Sequence, residues 1–178
     1  MKNEIRPRTD GAHFISGEVI MRGNHLTQSR KKYGKEVYGT TILFSRFDDD
    51  TLNKINEAMK AAYDLEQWKF CEDGTETTFE ELSNPIKPDN SFKDKYFMRC
   101  ISSERPGLVD ADLKEMEEEP VAGCTGRVSV SFHCKKVEDK KILYPVLENV
   151  QITKNKAERR YKVEDDFCAL SELTEIAD

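Results

Sequence analysis

The sequence has no long apolar run. Its hydrophobic stretches are a few residues each, Thr41 to Phe44 being typical, far short of the ~20 residues that cross a bilayer as a helix. The N-terminal segment MKNEIRPRTDGAH also lacks the apolar stretch of a secretory signal. A soluble, cytoplasmic protein with no membrane partner is therefore expected. CxxC pairs are missing too. The five cysteines, Cys71, Cys100, Cys124, Cys134 and Cys168, are odd in number and scattered, which suits reduced thiols better than a disulfide framework. Cys124, His133 and Cys134 match no usual zinc-ligand spacing, and no metal is expected. Equally absent are the phosphate loop GxxxxGK(S/T), the dinucleotide fingerprint GxGxxG, the GxSxG elbow and the HExxH helix. His13, His25 and His133 are the only histidines, so a histidine general base has few candidates. No catalytic residue and no cofactor is assigned, and a non-enzyme is expected.

What is present is one core's worth of chain with its charge in blocks. A chain of 178 residues, 37% hydrophobic, can bury one sizeable core, so a single domain is the default. The net charge of −6 hides strong segregation. Residues 1–46 carry nine Lys or Arg against four acids, and residues 126–162 carry ten against four. Residues 47–125 hold nine basic groups against twenty acids, and residues 163–178 hold six acids and no base. The acidic run DADLKEMEEEP (Asp110 to Pro120) reads as a solvated face. Both basic blocks coincide with segments that read as strands, so their charges could converge on one sheet face and take an anionic ligand.

The strand segments are legible from their period. HFISGEVIMRG (His13 to Gly23) alternates apolar Ile15, Val19 and Met21 with polar Ser16, Glu18 and Arg22. After a polar connection at Ser29 to Glu36 comes VYGTTILFSR, rich in β-branched and aromatic residues. In TLNKINEAMKAAYDLEQWK, Leu52, Ile55, Met59 and Ala62 fall at helical spacing, and Asp48 to Asp50 precede them as cap and dipole partners rather than as a metal cluster. Phe70 to Asp94 reads as an irregular insertion. KYFMRCISS is a further strand with Cys100 on its core face. In GRVSVSFHCKK, Val128, Val130, Phe132 and Cys134 point inward, and Arg127, Ser129, Ser131, His133 and Lys135 outward. KILYPVLENVQITK (Lys141 to Lys154) is a last strand, where Pro145 suggests an edge or a bulge. About five strands with one main helix and long loops make a small mainly β barrel.

The chemistry on this scaffold is a basic, aromatic-bearing face. Arg127, His133 and Lys135 lie on one strand and Arg99 beside Phe97 on another. Arg30, Lys31, Lys32, Tyr33 and Lys35 lie between the first two strands, and Arg22 and Tyr38 on those strands complete the candidate set. Cations follow phosphates while rings stack on bases regardless of sequence, and Arg can do both. Phe44, Phe132 and Trp68 read as core, whereas Tyr33, in a basic glycine-containing turn, has no core periodicity.

GCTGRVSVSFH, LENVQITK and EDDF, together with YFMRCISSERPGLVDAD, resemble the corresponding segments of a family of phage-encoded single-stranded DNA-binding proteins, over about residues 14–167. The resemblance implies an OB-fold, a five-stranded Greek-key barrel, spanning residues 1–162. It implies binding of single-stranded DNA without marked sequence preference during phage replication or recombination, by a homodimer in the host cytoplasm. Gly123, Cys124, Gly126, Arg127 and Phe132 carry the matching motif; only Arg127 is a candidate DNA contact, the glycines serving backbone geometry. The second strand departs from the family pattern, ending LFSR where relatives more often have Ile-Pro-Lys. The tail, residues 163–178, runs eleven residues past Phe167. By analogy with the acidic, Phe-ending tails of bacterial single-stranded DNA-binding proteins, Glu164, Asp165, Asp166 and Phe167 are expected to compete with DNA for the basic face and to meet replication or recombination proteins; the alternative is that Phe167 and Leu170 pack on the barrel and the acids only solubilise. Two other readings stay open: a metal-dependent nuclease or recombination enzyme using Asp48 to Asp50 or Asp110 and Asp112, and an assembly protein that binds no DNA.

Overall fold

A computed structural model describes residues 11–70 and 77–157 of the chain. The expected first strand is present in two pieces, β1 (His13–Ile15) and β2 (Val19–Lys32), with β3 (Lys35–Ser45) next in sequence. Helix α1 (Asp49–Glu66) precedes β4 (Ile86–Pro88), β5 (Lys95–Ser102) and β6 (Gly107–Val109), and the long strands β7 (Cys124–Val137) and β8 (Lys140–Lys154) close the order.

Five of these strands form a ring. β2 pairs with β3, β3 with β5, β5 with β8, β8 with β7, and β7 returns to β2. Every contact in the ring is antiparallel except β5 with β8, which run parallel and meet at Ile101 and Val146. β8 lies between β5 and β7 rather than outside β7, and that Greek-key crossing closes the barrel as an OB-fold. β1 continues the edge that β2 makes with β7, pairing His13 with Ser131 where β2 pairs Val19 with Gly126. β4 and β6 extend the sheet from β5 and β8.

The alternation read from the sequence sets the core. Met21, Ile42, Met98, Cys100, Val128, Val130, Phe132, Leu147 and Val150 point into the barrel. Cys100, Cys134, Phe44 and Phe132 are buried as expected. Burial pushes the Cys100 thiol up to about 12, so it stays protonated and packs as a small hydrophobe. α1 covers the barrel with Ile55, Ala58, Met59 and Ala62. It starts where Asp48 accepts the Thr51 amide at 3.0 Å and the Thr51 hydroxyl at 2.6 Å. These bonds lower the Asp48 pKa, the hydroxyl contributing most. Asp50 bridges to Lys54 at 2.8 Å. Asp48 is thus engaged as the cap and Asp50, in the first turn, as a side-chain partner.

Several expectations are corrected. Ser29 to Glu36 is no loop but the end of a β2–β3 hairpin, in which Lys32 pairs with Lys35 across Tyr33 and Gly34. Both turn residues take positive φ, 51° and 75°, the mark of a type I′ turn, whose twist suits a hairpin. Within the Phe70 to Asp94 stretch, Phe70 and Leu82 pack into the core and β4 pairs with β5. Trp68 is 67% exposed rather than core. It falls in the 3-10 turn after α1, past the helix's buried stripe, and Phe70 takes the buried position. Pro145 is buried and paired with Phe132 inside β8; the bulges lie at Glu148, between the pairs Leu147–Val130 and Asn149–Ser129, and at Thr153.

The glycines of the GCTGR motif have geometric reasons. Gly123 has φ +85°, where an L side chain is strained. At Gly126 a Cβ would stand 2.6 Å from the Gln151 carbonyl oxygen and 2.9 Å from the Met21 sulfur. Gly126→Ala is expected to destabilise the fold by about 1–3 kcal/mol, seen as a lower urea midpoint at unchanged m-value.

Candidate nucleic-acid interface

Because Met21, Ile42 and Met98 point inward, their neighbours Arg22, Thr41 and Arg99 face out. They also lie in register: Arg22 pairs with Thr41, and Thr41 with Arg99, one row across β2, β3 and β5. The next row on the same face is Ile20, Leu43 and Phe97. Both guanidinium groups approach the half-buried Phe97 ring, their central carbons 5.8 Å (Arg22) and 5.9 Å (Arg99) from its centroid. Beside this row a groove of about 360 Å³ opens between Arg22, His25, Arg30, Thr41, Arg99 and Ile101. It is a cationic surface with an aromatic at its edge, the combination that holds a phosphate chain and stacks a base.

Two carboxylates that look like surface charge in the sequence shape this face. The buried Asp89 accepts the amides of Ser91 and Phe92, each at 2.9 Å, and pairs with Arg22. Burial alone would push its carboxyl up, but the Phe92 amide, the Arg22 guanidinium and the Ser91 amide outweigh that and hold it below the usual carboxylate range. Asp89 thereby fixes the direction of Arg22. Among the described residues, neither Arg30 nor Arg99 has an ion-pair partner.

The second carboxylate is Glu119. Beyond Met21, β2 leaves β7, and its freed edge is met by the segment that leads into β7. Glu119 accepts the amides of Leu26 at 2.6 Å and Thr27 at 2.7 Å and the Thr27 hydroxyl at 2.6 Å. Asn24 adds bonds to the Pro120 and Val121 carbonyls at 3.3 and 3.1 Å. The expectation of a wholly solvated acidic run therefore fails at Glu119, which is half-buried, while Glu117 and Glu118 are exposed. Asp110 is engaged in its own turn, accepting the Asp112 and Lys114 amides at 2.8 and 3.0 Å.

From this clamp the hairpin runs out as an arm. No residue from Thr27 to Tyr38 is buried. Arg30, Lys31, Lys32 and Lys35 line it, Tyr38 is half-buried near its base, and Tyr33 at the tip is 94% exposed, with Lys32 Nζ 5.8 Å from its ring centroid.

The outward face of β7 does not join this surface. Its Ser129 and Ser131 are buried, because β1 and the end of α1 cover them. His13 bonds Ser129 at 2.7 Å, and His133 bonds Glu66 at 3.0 Å and Ser131 at 3.2 Å. Lys135 sits over the Tyr144 ring at 4.3 Å, and Arg127, though exposed, donates through Nε to the Ser16 carbonyl at 3.2 Å. Arg127, His133 and Lys135 are thus not brought together with Arg22 and Arg99. Cys124 and Cys134 stand at opposite ends of β7, about 33 Å apart at strand rise, so the zinc arrangement does not assemble. Glu164, Asp165, Asp166 and Phe167 lie outside the described residues. Asp89, Glu119 and His25 escaped the sequence reading: the acids are indistinguishable from neighbouring solvated ones, and His25 sits between two bulges that break the alternation.

Comparison with known proteins bears on this geometry. A family model described as the single-stranded DNA-binding protein of Enterobacter phage Enc34 matches residues 15–175. The chain belongs to that family. Among solved structures, the bacteriophage Enc34 single-stranded DNA-binding protein in complex with single-stranded DNA superposes with TM-score 0.64 at 17% identity, covering 84% of this chain and 90% of that one. Another structure of the Enc34 protein gives 0.59 at 20% identity, over 88% and 90%. The bacteriophage T7 protein gp2.5, a single-stranded DNA-binding protein, gives 0.61 at 15% identity, over 85% and 96%. No curated protein matches the sequence. At these identities the structural likeness establishes the shared fold; the family match establishes membership.

For this Enc34-family chain the Glu119 clamp predicts a pH dependence. Burial raises the Glu119 pKa, but the bonds from Thr27, Leu26 and Gln28 outweigh it and hold it low. A lowered folded-state pKa means stabilisation that is complete above the ordinary Glu value of about 4.3 and lost as pH falls through the folded value. Glu119→Gln is expected to cost about 1–2 kcal/mol at neutral pH, with the difference from the parent chain narrowing toward pH 3 in urea titrations.

Proposed function

We propose that the chain binds single-stranded DNA through the β2–β3–β5 face and its arm, without marked sequence preference, during phage DNA replication or recombination in the host cytoplasm. The observation that carries this reading is the in-register row of Arg22, Thr41 and Arg99 flanking Phe97 on the open face of an OB-fold in this family. The guanidinium groups follow the phosphates, Phe97 stacks a base from its edge, and Tyr33 reaches the strand from the arm. Attraction to phosphates and stacking on an aromatic face act on any base, which supports sequence tolerance. The chain protects the strand stoichiometrically and performs no chemistry. It acts as a homodimer, and the tail from Glu164 competes with DNA for the basic face and, when displaced, meets replication or recombination proteins.

Fluorescence anisotropy of a labelled oligo-dT against a duplex of equal length, without magnesium, tests the reading. Salt-sensitive preference for the single strand is expected. Phe97→Ala should cost about 1–3 kcal/mol of binding. Arg99→Ala should weaken binding and flatten the slope of log affinity against log salt by about 0.7. A chain ending at Lys162 should bind more tightly at low salt, and sedimentation should give the mass of a dimer. Magnesium-dependent cleavage of the oligonucleotide, or no preference for the single strand, would overturn the proposal.

A further inference from the structure

His25 is the one titratable group in the groove with no cationic charge of its own at neutral pH, and its surroundings are unusual. Its Nδ1 lies 2.8 Å from the Gly23 carbonyl oxygen, so Nδ1 carries the proton that donates there. That leaves Nε2 as a bare lone pair in the neutral ring. Nε2 is shut off from solvent and has no hydrogen-bond partner among the described residues. A buried, unpartnered polar atom is an uncommon feature that calls for an explanation, a bound group that completes it being one.

The charges around the imidazole say which ligand. From β2 come Arg22, Arg30 and Lys32, from β5 Arg99, and from the segment before β7 the carboxylate of Glu119. β3 contributes the uncharged Thr40 and Thr41. Burial is the largest influence on the ring and lowers its pKa; the Gly23 carbonyl and Glu119 act the other way, and Arg30 and Lys32 lower it further. The free protein therefore holds His25 neutral at pH 7, within a wall where Arg22, Arg30, Lys32 and Arg99 outnumber the one carboxylate that reaches the ring, Glu119. Arg30 and Arg99 are exposed and have no ion-pair partner among the described residues, so both are available to a phosphate, and a contact with Nε2 requires the side chains that line the groove to move apart.

We propose that His25 is a phosphate-contacting residue of this groove and takes up one proton when single-stranded DNA binds, an inference that rests on the assignment of the groove to DNA. A phosphodiester lodged between Arg22, Arg30 and Arg99 brings a negative charge to the imidazole, Nε2 gains a proton from solvent, and the resulting N–H donates to a phosphate oxygen. The pKa of His25 is then higher in the complex than in the free chain. Affinity rises as pH falls through that interval and is flat well above it.

The test is oligo-dT affinity from pH 8 to pH 5.5 at fixed ionic strength, for the full chain and for His25→Gln. In parallel, the His25 ring proton is titrated by NMR in the free and DNA-bound parent protein. Binding by the parent about tenfold tighter at the acid end corresponds to a shift of one pKa unit. A much flatter profile for His25→Gln and a raised ring pKa in the complex are expected with it. If the parent binds tightly and with salt sensitivity but the ring pKa does not rise, or if His25→Gln keeps the full pH dependence, the His25 assignment falls and the DNA-binding reading stands. If the parent binds no single strand at any pH, the groove's assignment to DNA falls. The NMR arm uses the unaltered protein, so a folding defect in His25→Gln does not decide the outcome.

Discussion

Closure of the barrel at Gly126 is the constraint on which the rest of the molecule depends. β7 must approach β2 on one side and β8 on the other. At Gly126 both approaches are so close that a single methyl group would meet the Gln151 carbonyl and the Met21 sulfur. The parallel seam on the far side, Ile101 against Val146, is too slight to hold the ring by itself. With β7 drawn in, the alternation of β2 is fixed, Met21 points inward, and Arg22 is committed to the open face in register with Thr41 and Arg99. A one-residue slip would exchange them, placing a guanidinium in the core.

The same closure explains the arm. β7 pairs with β2 only as far as Met21 and Cys124, so the rest of β2 emerges with one edge unpaired. An isolated two-stranded ribbon is marginal in water, and a bare edge invites pairing with other chains. Glu119 meets both difficulties at the point of departure by accepting the Leu26 and Thr27 amides that β7 no longer reaches. Lysines along the ribbon then keep the remaining edge solvated.

How much of this was legible follows from the kind of signal each part carries. Strand period and helix spacing depend on neighbours a few residues apart, and they gave β5, β7, β8 and the buried stripe of α1 nearly as found. The pairing of Arg99 with Phe97 was visible because both lie on one strand. Which strands share a face is a tertiary fact, so nothing in the sequence showed that β1 and Glu66 close over Ser129, Ser131 and His133 while Arg127 and Lys135, on the same face of β7, stay exposed. The Tyr33-Gly34 turn was read as a loop because its polar flanks suggested solvent, and an exposed hairpin is polar for the same reason. Asp89 and Glu119 left no trace, since a carboxylate that binds backbone amides looks in sequence like any other acid.

Those two carboxylates also divide the labour among the cations. Arg22 is held by Asp89 and lies beside Phe97, so its direction is fixed before any ligand arrives, at the cost of part of its charge. Arg99 and Arg30 keep their full charge and their freedom among the described residues. An anionic chain crossing the face therefore meets a fixed, partly neutralised edge at Arg22 and Phe97, which favours geometry, and exposed, unpaired cations at Arg99 and Arg30, which favour attraction. Were Arg22 as free as Arg99, neither guanidinium near the Phe97 ring would be held in place when a phosphate drew on the face. Were Arg99 as tied as Arg22, the face would be ordered but only weakly attractive at physiological salt, where exposed charges are screened within about 8 Å. A strand bound without regard to sequence needs both properties together: a fixed surface on which any base can lie, and charge that can follow a backbone whose phosphates never fall twice in the same place.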